Sequence, residues 1–388
     1  YFIALFFNAA AVYLTKRFRY GWTAAVLLIA TGCGIYQSYI CYAASLFLLD
    51  CIVELLTGGD LGRTVRIGLR YIGVLLAALA VYYGVETLLL KLNHTVLTTY
   101  MGMDVIGSFD VAESLRTIPK AYREYLQFFR RWSFAIPVLR YFHYLTAALL
   151  LVSVCYLIHR KGLWKQPVRC VLIFAGWGLF PLTMNLASVL AYNGSLHRLM
   201  IYAFILLFVA AVKCAELAAQ AGMEAGGVCA RRMGTVLSTA AVVCCCAVAW
   251  NNFCLCNVGY HALQLNYEAS YAIAERVADR IEALDGYTTD SPVAIIGFVD
   301  PSVYGTRDRY MSDFDTALEG QMLGQPIVYR PAFLRDYIGF PMPALTGEQR
   351  AFLNDSKEVS AMPAFPAQGS VAMIAGIAVV KLGEGGVQ

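Results

Sequence analysis

Eight apolar segments, near residues 1–14, 21–33, 40–56, 69–90, 137–158, 170–190, 199–220 and 234–250, leave few folds open to this chain. The bilayer core is about 30 Å thick, and a helix rising about 1.5 Å per residue needs roughly 20 apolar residues to cross it. Only 14% of the residues are charged, against about 25% in soluble domains. The mean hydropathy is +0.59. An integral membrane protein follows. The chain opens at Tyr1 within an apolar run, so we expect sequence to precede it.

The stretch Gly34-Ile-Tyr-Gln-Ser-Tyr39 interrupts a long apolar run from Trp22 to Leu56. That run is too long for one span and short for two with an ordinary loop. The economical reading is a tight hairpin: a helix near 21–33, a polar bend at 34–39, and a helix near 40–56. Gly32 and Gly34 are expected to permit the bend.

Charge divides the chain. Residues 1–256 hold 21 Lys and Arg against 10 Asp and Glu, whereas 257–388 hold 9 against 16. Eight of the 12 prolines also follow residue 256. The expectation is a basic membrane domain over 1–256 and an acidic, water-exposed domain over 257–388. All 12 cysteines precede residue 257, mostly in apolar segments and without C-x-x-C spacing, so they read as small buried hydrophobes.

Four basic clusters set the orientation. They are Lys16, Arg17 and Arg19; Arg63, Arg66 and Arg70; Arg160, Lys161, Lys165 and Arg169; and Arg231 with Arg232. If every segment crosses, these loops share one side, which the positive-inside rule makes cytoplasmic. The bend at 34–39, the loop 91–136, the loop 191–198 and residues 257–388 then lie outside. Loop 91–136 carries an apolar stripe (Leu115, Ile118, Tyr122, Tyr125, Leu126, Phe129) among five basic residues. It predicts an amphipathic helix at the outer interface, kinked or restarted at Pro119, or else a packed connecting helix.

In the acidic part, Leu263, Tyr267, Tyr271, Ala274, Val277, Ala278, Ile281 and Leu284 recur at helical spacing, which predicts a helix over 261–284. Strands are expected at 292–298, 325–329, 370–374 and 377–381. A small α/β domain follows. Its acidity argues against nucleic acid as a partner.

Polar residues collect at the outer face. Tyr36 and Gln37 occupy the bend. Glu86 lies 16 residues beyond Arg70, about 24 Å along a helix. Tyr82 and Tyr83 stand beside it. Tyr100 and Asp104 sit in Tyr100-Met-Gly-Met-Asp104, and His197 and Arg198 precede the seventh apolar segment. Each has a plainer reading. Tyr39, Tyr82 and Tyr83 can be interfacial anchors, Glu86 a solvated helix end, Asp104 a turn residue, His197 a loop residue, and Arg198 a snorkelling cation. Together they form a set of carboxylates, hydroxyls and one guanidinium that suits a lipid-linked phosphate and its sugar.

Those same stretches, with Met362-Pro-Ala-Phe-Pro366 and Ile377-Ala-Val-Val-Lys-Leu382, resemble the type-II O-antigen glucosyltransferase family of bacteria. The resemblance implies a GT-C-like helical bundle, mostly α and polytopic, with a small extracytoplasmic α/β domain. It implies transfer of a glucosyl residue from undecaprenyl-phosphate-glucose to a cell-surface glycan outside the cytoplasmic membrane. Membrane lipid, the polyprenyl-linked donor and the glycan acceptor would be the partners. No cofactor or metal site is implied, and the need for a divalent cation stays open. In similar enzymes an outer-loop carboxylate near the N-terminus acts as base. That loop would precede Tyr1, leaving Asp104 or Glu86 as further carboxylates. Tyr36, Gln37, Tyr100, His197 and Arg198 would bind substrate. A transporter or flippase for a lipid-linked glycan is the competing class, but paired broken segments are not evident. A sensory membrane protein is a third.

Overall fold

The computed structural model describes residues 1–95, 111–130, 137–190, 198–224, 226–299, 328 and 330–387. The chain forms two compact units, Tyr1–Asn251 and Asn252–Gln388.

The first unit is helical. In chain order its helices are α1 (Phe2–Arg17), α2 (Gly21–Ile35), α3 (Ile40–Thr57), α4 (Leu61–Leu92), α5 (Val111–Arg116), α6 (Ile118–Arg130), α7 (Arg140–Arg160), α8 (Pro167–Met184), α9 (Leu186–Leu190), α10 (Leu206–Glu224) and the start of α11 (Val228–Glu282). Among the described residues, six helical stretches are long and apolar enough to cross a membrane: Gln37–Thr57, Leu61–Leu92, Pro137–Arg160, Pro167–Met184, Met200–Glu224 and Val228–Glu282. Their outward faces carry large exposed apolar side chains, such as Leu69, Leu76, Leu151, Val171 and Val243. That is the surface expected where the surrounding solvent is hydrocarbon. The protein is a polytopic helical membrane protein with a small mixed sheet near its C-terminus.

Small residues bring the helices together, as expected where lipid supplies no hydrophobic drive between them. Ala4, Asn8, Ala11 and Thr15 form one fully buried stripe on α1. Asn8 and Thr15 return side-chain hydrogen bonds to Ala4 O and Ala11 O of their own helix. Gly32 of α2 faces this stripe, and a Cβ there would lie 2.7 Å from Asn8 Nδ2. Between α10 and α11, a Cβ on Gly222 would lie 2.5 Å from Ala230 O, and one on Gly234 would lie 2.6 Å from Ala219 Cα. Gly234→Leu should therefore force α10 and α11 apart and destabilise the bundle by about 3 kcal/mol. A melting temperature in detergent equal to that of wild type would contradict this packing.

The basic loops gather at one end of the unit. Lys16 pairs with Asp50 of α3, which also accepts from Tyr71 Oη of α4 at 2.7 Å. Arg70 donates to Phe18 O and Arg19 O. Buried Arg169 donates to Gly59 O. Gly58, at φ +86°, ends α3 in the left-handed conformation that lets this loop turn, and Asp60 caps α4 by accepting from Arg63 N.

Three sequence expectations need correction. The bend at 34–39 is present, but the glycines do not make it. Both lie within α2, and the chain turns at Tyr36, which is extended at φ −158° and ψ 106°, before a 3-10 turn over Gln37–Tyr39. The hairpin is also splayed. Helices α2 and α3 touch little, and α2 packs chiefly on α1 and α4, and α3 on α8 and α4. The apolar run 170–190 is broken: α8 ends at Met184, and α9 restarts beyond Asn185, a turn after Pro181. Finally, the last apolar segment and the helix expected at 261–284 are one helix, because no proline lies between them.

In the second unit a three-stranded sheet has the order β1 (Val293–Ile296), β3 (Ile377–Lys381), β2 (Val371–Ile374). β1 runs parallel to β3, and β2 antiparallel to it. The alternation of strand side chains builds two cores. Val293, Ile295, Ala378 and Val380 face Ile273, Val277 and Ile281 of α11. Ala294, Ile296, Ile377 and Val379 face Leu353 of α12 (Gly347–Asp355) and Val359 of α13 (Lys357–Ala361). Helix α12 starts with a capping box between Thr346 and Gln349. The strands expected at 292–298, 370–374 and 377–381 are found, and that at 325–329 lies largely outside the described residues. On α11 the buried face is narrower than expected, since Tyr267 and Tyr271 are exposed.

Candidate functional site

At the end opposite the basic loops, the bend meets α4. Gln37, half-buried, donates through Nε2 to Tyr82 Oη at 2.5 Å. Tyr82 Oη donates in turn to Glu86 Oε1 at 2.7 Å, one helical turn away. The three groups form a relay that ends on a half-buried carboxylate. Its logic is local. Polar side chains spaced four apart on α4 share a face, and the 3-10 turn holds Gln37 against that face. Two sequence-predicted site residues, Gln37 and Glu86, are thus brought together by a third, Tyr82, which is a linker rather than an interfacial anchor.

Tyr36 belongs to an aromatic cluster. Its ring lies 5.3 Å from Tyr1 and 5.1 Å from Tyr39. Tyr39 is 2% exposed, a core residue rather than an anchor, and its ring reaches Tyr202 at 6.3 Å. Tyr202 lies in a 3-10 segment, Arg198–Ile205, that packs against the bend. Arg198 opens this segment, although its side chain is not among those described. Tyr100, Asp104 and His197 lie outside the described residues.

The other flank of that segment is α6. Tyr125, buried, meets Phe204 at 5.0 Å, and Phe128 meets Phe204 at 5.1 Å. The helix predicted in loop 91–136 is therefore present, restarts around Pro119, and docks Tyr125 and Phe128 on protein, while Leu115 and Leu126 of the expected stripe stay exposed. Tyr122 Oη donates to Gly178 O at 2.7 Å. Glu124 Oε2 accepts from Ser188 Oγ at 2.6 Å and from Asn185 Nδ2 at 3.2 Å. Asn185 Nδ2 also reaches Ala121 O at 2.9 Å. Sequence reading missed Glu124 because it looked like one charge on an amphipathic face. The signal available was the polar pair Asn185 and Ser188 within an apolar run, just beyond Pro181.

The arrangement offers two carboxylates: Glu86 on α4, tied to the bend through Tyr82, and Glu124 on α6. Carboxylates accept sugar hydroxyls and can take a proton from one. Among the described residues, no group of three His, Cys, Asp or Glu side chains is placed to hold a metal.

No curated protein and no solved structure matches the chain. The family model described as glucosyl transferase GtrII matches residues 1–208. That region holds the bend, the Gln37–Tyr82–Glu86 relay, helix α6 and the Arg198–Ile205 segment, and the chain belongs to the GtrII glucosyl transferase family.

Proposed function

We propose that the protein transfers a glucosyl residue from a polyprenyl-phosphate-sugar to a cell-surface glycan, at the outer side of the bacterial cytoplasmic membrane. The observation that carries this reading is the relay ending on Glu86, at the end of the bundle away from the basic loops, in a member of a glucosyl transferase family.

In this reading the acceptor hydroxyl oxygen attacks the anomeric carbon. The bond from that carbon to the phosphate oxygen breaks, and the polyprenyl phosphate leaves. Glu86 takes the acceptor proton, with Asp104 as a further carboxylate. Gln37 and Tyr82 hold the Glu86 carboxylate in place. Arg198 supplies positive charge to the leaving phosphate, and Tyr36, Tyr100 and His197 contribute further contacts to substrate. An apolar groove of about 390 Å³ lined by Phe142, Leu145, Val236, Ala240 and Val243 offers a place for the lipid tail. The deciding measurement is transfer of labelled sugar by the protein in proteoliposomes, given a panel of polyprenyl-phosphate sugars. Transfer from none of them would overturn the reading.

The orientation rests on the positive-inside rule, by which residues 257–388 form an α/β domain outside the cytoplasm and residues 1–256 a membrane domain. Ser356→Cys, in a background without exposed native cysteines, should react with an impermeant maleimide on intact cells. Reaction only after permeabilisation would reverse the topology.

A further inference from the structure

Glu124 has no part in the relay through Gln37, Tyr82 and Glu86, yet it is held more firmly than a surface carboxylate. Its Oε2 accepts two hydrogen bonds, from Ser188 Oγ at 2.6 Å and Asn185 Nδ2 at 3.2 Å. Both donors are fixed, being 2% and 1% exposed at the break between α8 and α9. Its Oε1 makes a long ion pair with Lys120 Nζ at 3.9 Å, one turn back on α6, and the Glu124 side chain is 25% exposed. One oxygen is saturated by hydrogen bonds, and the other has no described hydrogen bond.

We propose that Glu124 Oε1 accepts a hydroxyl of a bound sugar, making Glu124 a second sugar-binding carboxylate of the transferase. This rests on the glycosyl-transfer reading above. The chemistry selects the ligand class. A carboxylate oxygen accepts and cannot donate, so it fits a hydroxyl of a polyhydroxyl group. That group is either the donor's glucosyl ring or the acceptor glycan. Holding α6 in place does not require the charge. The helix is already docked by Tyr125 and Phe128 on Phe204, and by the bonds Asn185 Nδ2 to Ala121 O and Tyr122 Oη to Gly178 O.

The test compares Glu124→Gln with Ser188→Ala in proteoliposomes. The glutamine keeps one accepting oxygen for Ser188 and Asn185 but presents an amide N–H₂ where the open oxygen was. The serine variant loosens the anchor and leaves the charge. Glu124→Gln should raise KM for one sugar substrate about 10- to 100-fold, the loss of one hydrogen bond to a charged group. Its melting temperature should stay at the wild-type value. A change in donor KM identifies the glucosyl ring, and a change in acceptor KM identifies the glycan. Unchanged KM for both would overturn the proposal. So would losses in the two variants that simply follow their melting temperatures. If the wild-type protein transfers nothing, the functional reading fails, and methyl glucoside then decides the Glu124 claim separately. A glucoside-dependent rise in melting temperature that Glu124→Gln abolishes supports it, and no rise in wild type, or equal rises, overturns it.

Discussion

Glu86→Gln should lower the rate of sugar transfer by about 10²–10⁴-fold, the usual contribution of a positioned general base. Glutamine keeps the size of the side chain and an oxygen to accept from Tyr82 Oη, so the relay geometry can survive while the base is lost. The flanking substitutions should be graded. Tyr82→Phe leaves Gln37 without its acceptor and Glu86 without its donor, and should cost about tenfold. Gln37→Ala should cost only a few-fold, because the Tyr82 hydroxyl can still orient Glu86. Arg198→Ala should exceed Gln37→Ala, since losing a charge-assisted contact to phosphate costs about 2–5 kcal/mol against about 1–2 for a neutral one. The measurement is single-turnover transfer with saturating donor, on protein shown to be inserted by its elution profile. Full-rate transfer by Glu86→Gln would move the base elsewhere, with Asp104 the first candidate.

Ile281→Asp should unfold the second unit while leaving the helical bundle inserted. Ile281 is fully buried between α11 and the sheet, in the core with Val277, Val293, Ile295 and Val380. A carboxylate placed there loses the burial of a large aliphatic side chain and enters a cluster of apolar side chains. The two costs together amount to about 4–5 kcal/mol or more, against the 5–15 kcal/mol that typically holds a domain folded. Tyr271→Asp on the same helix is the control. Tyr271 is exposed, so that change should cost far less. Limited proteolysis reads both: a protected fragment covering 257–388 in wild type and Tyr271→Asp, and none in Ile281→Asp. Equal protection in all three would mean that α11 is not part of this core.

What the sequence disclosed followed from which physical signals are local. Spans and basic loops were legible because hydropathy and charge act over windows of one helix. The strands at 293–296, 371–374 and 377–381 were legible as short runs of β-branched residues between turns. Gln37 and Glu86 stood out because polar side chains in apolar runs need partners, but that Tyr82 is the partner depends on how α2, α3 and α4 splay. The splay in turn depends on small residues such as Gly32 facing Asn8, a contact between separate helices. Glu124 was missed for the same reason: its meaning lies in Asn185 and Ser188, which reach it only after the run 170–190 breaks. Period and hydropathy also overestimated the buried face of α11, since Tyr267 and Tyr271 fit the stripe but stay partly exposed, Tyr267 meeting Phe333 and Tyr337 only at the rim of the core.

The sheet order carries a consequence for biosynthesis. β3 is the central strand and also the last of the three in the chain, so among the described residues β1 has no strand partner until β3 has been made. Between Ile296 and Ile377 the ribosome needs roughly 5–15 s at about 5–20 residues per second. Through that interval the run Val293–Ile296, apolar on both faces, waits without β3. An unpaired strand edge is a template for pairing with other chains. The sheet therefore cannot be completed as the chain emerges. Its chain must be kept apart from its neighbours until Ile377–Lys381 arrives, and a nascent chain halted before that point carries a sticky, unprotected strand.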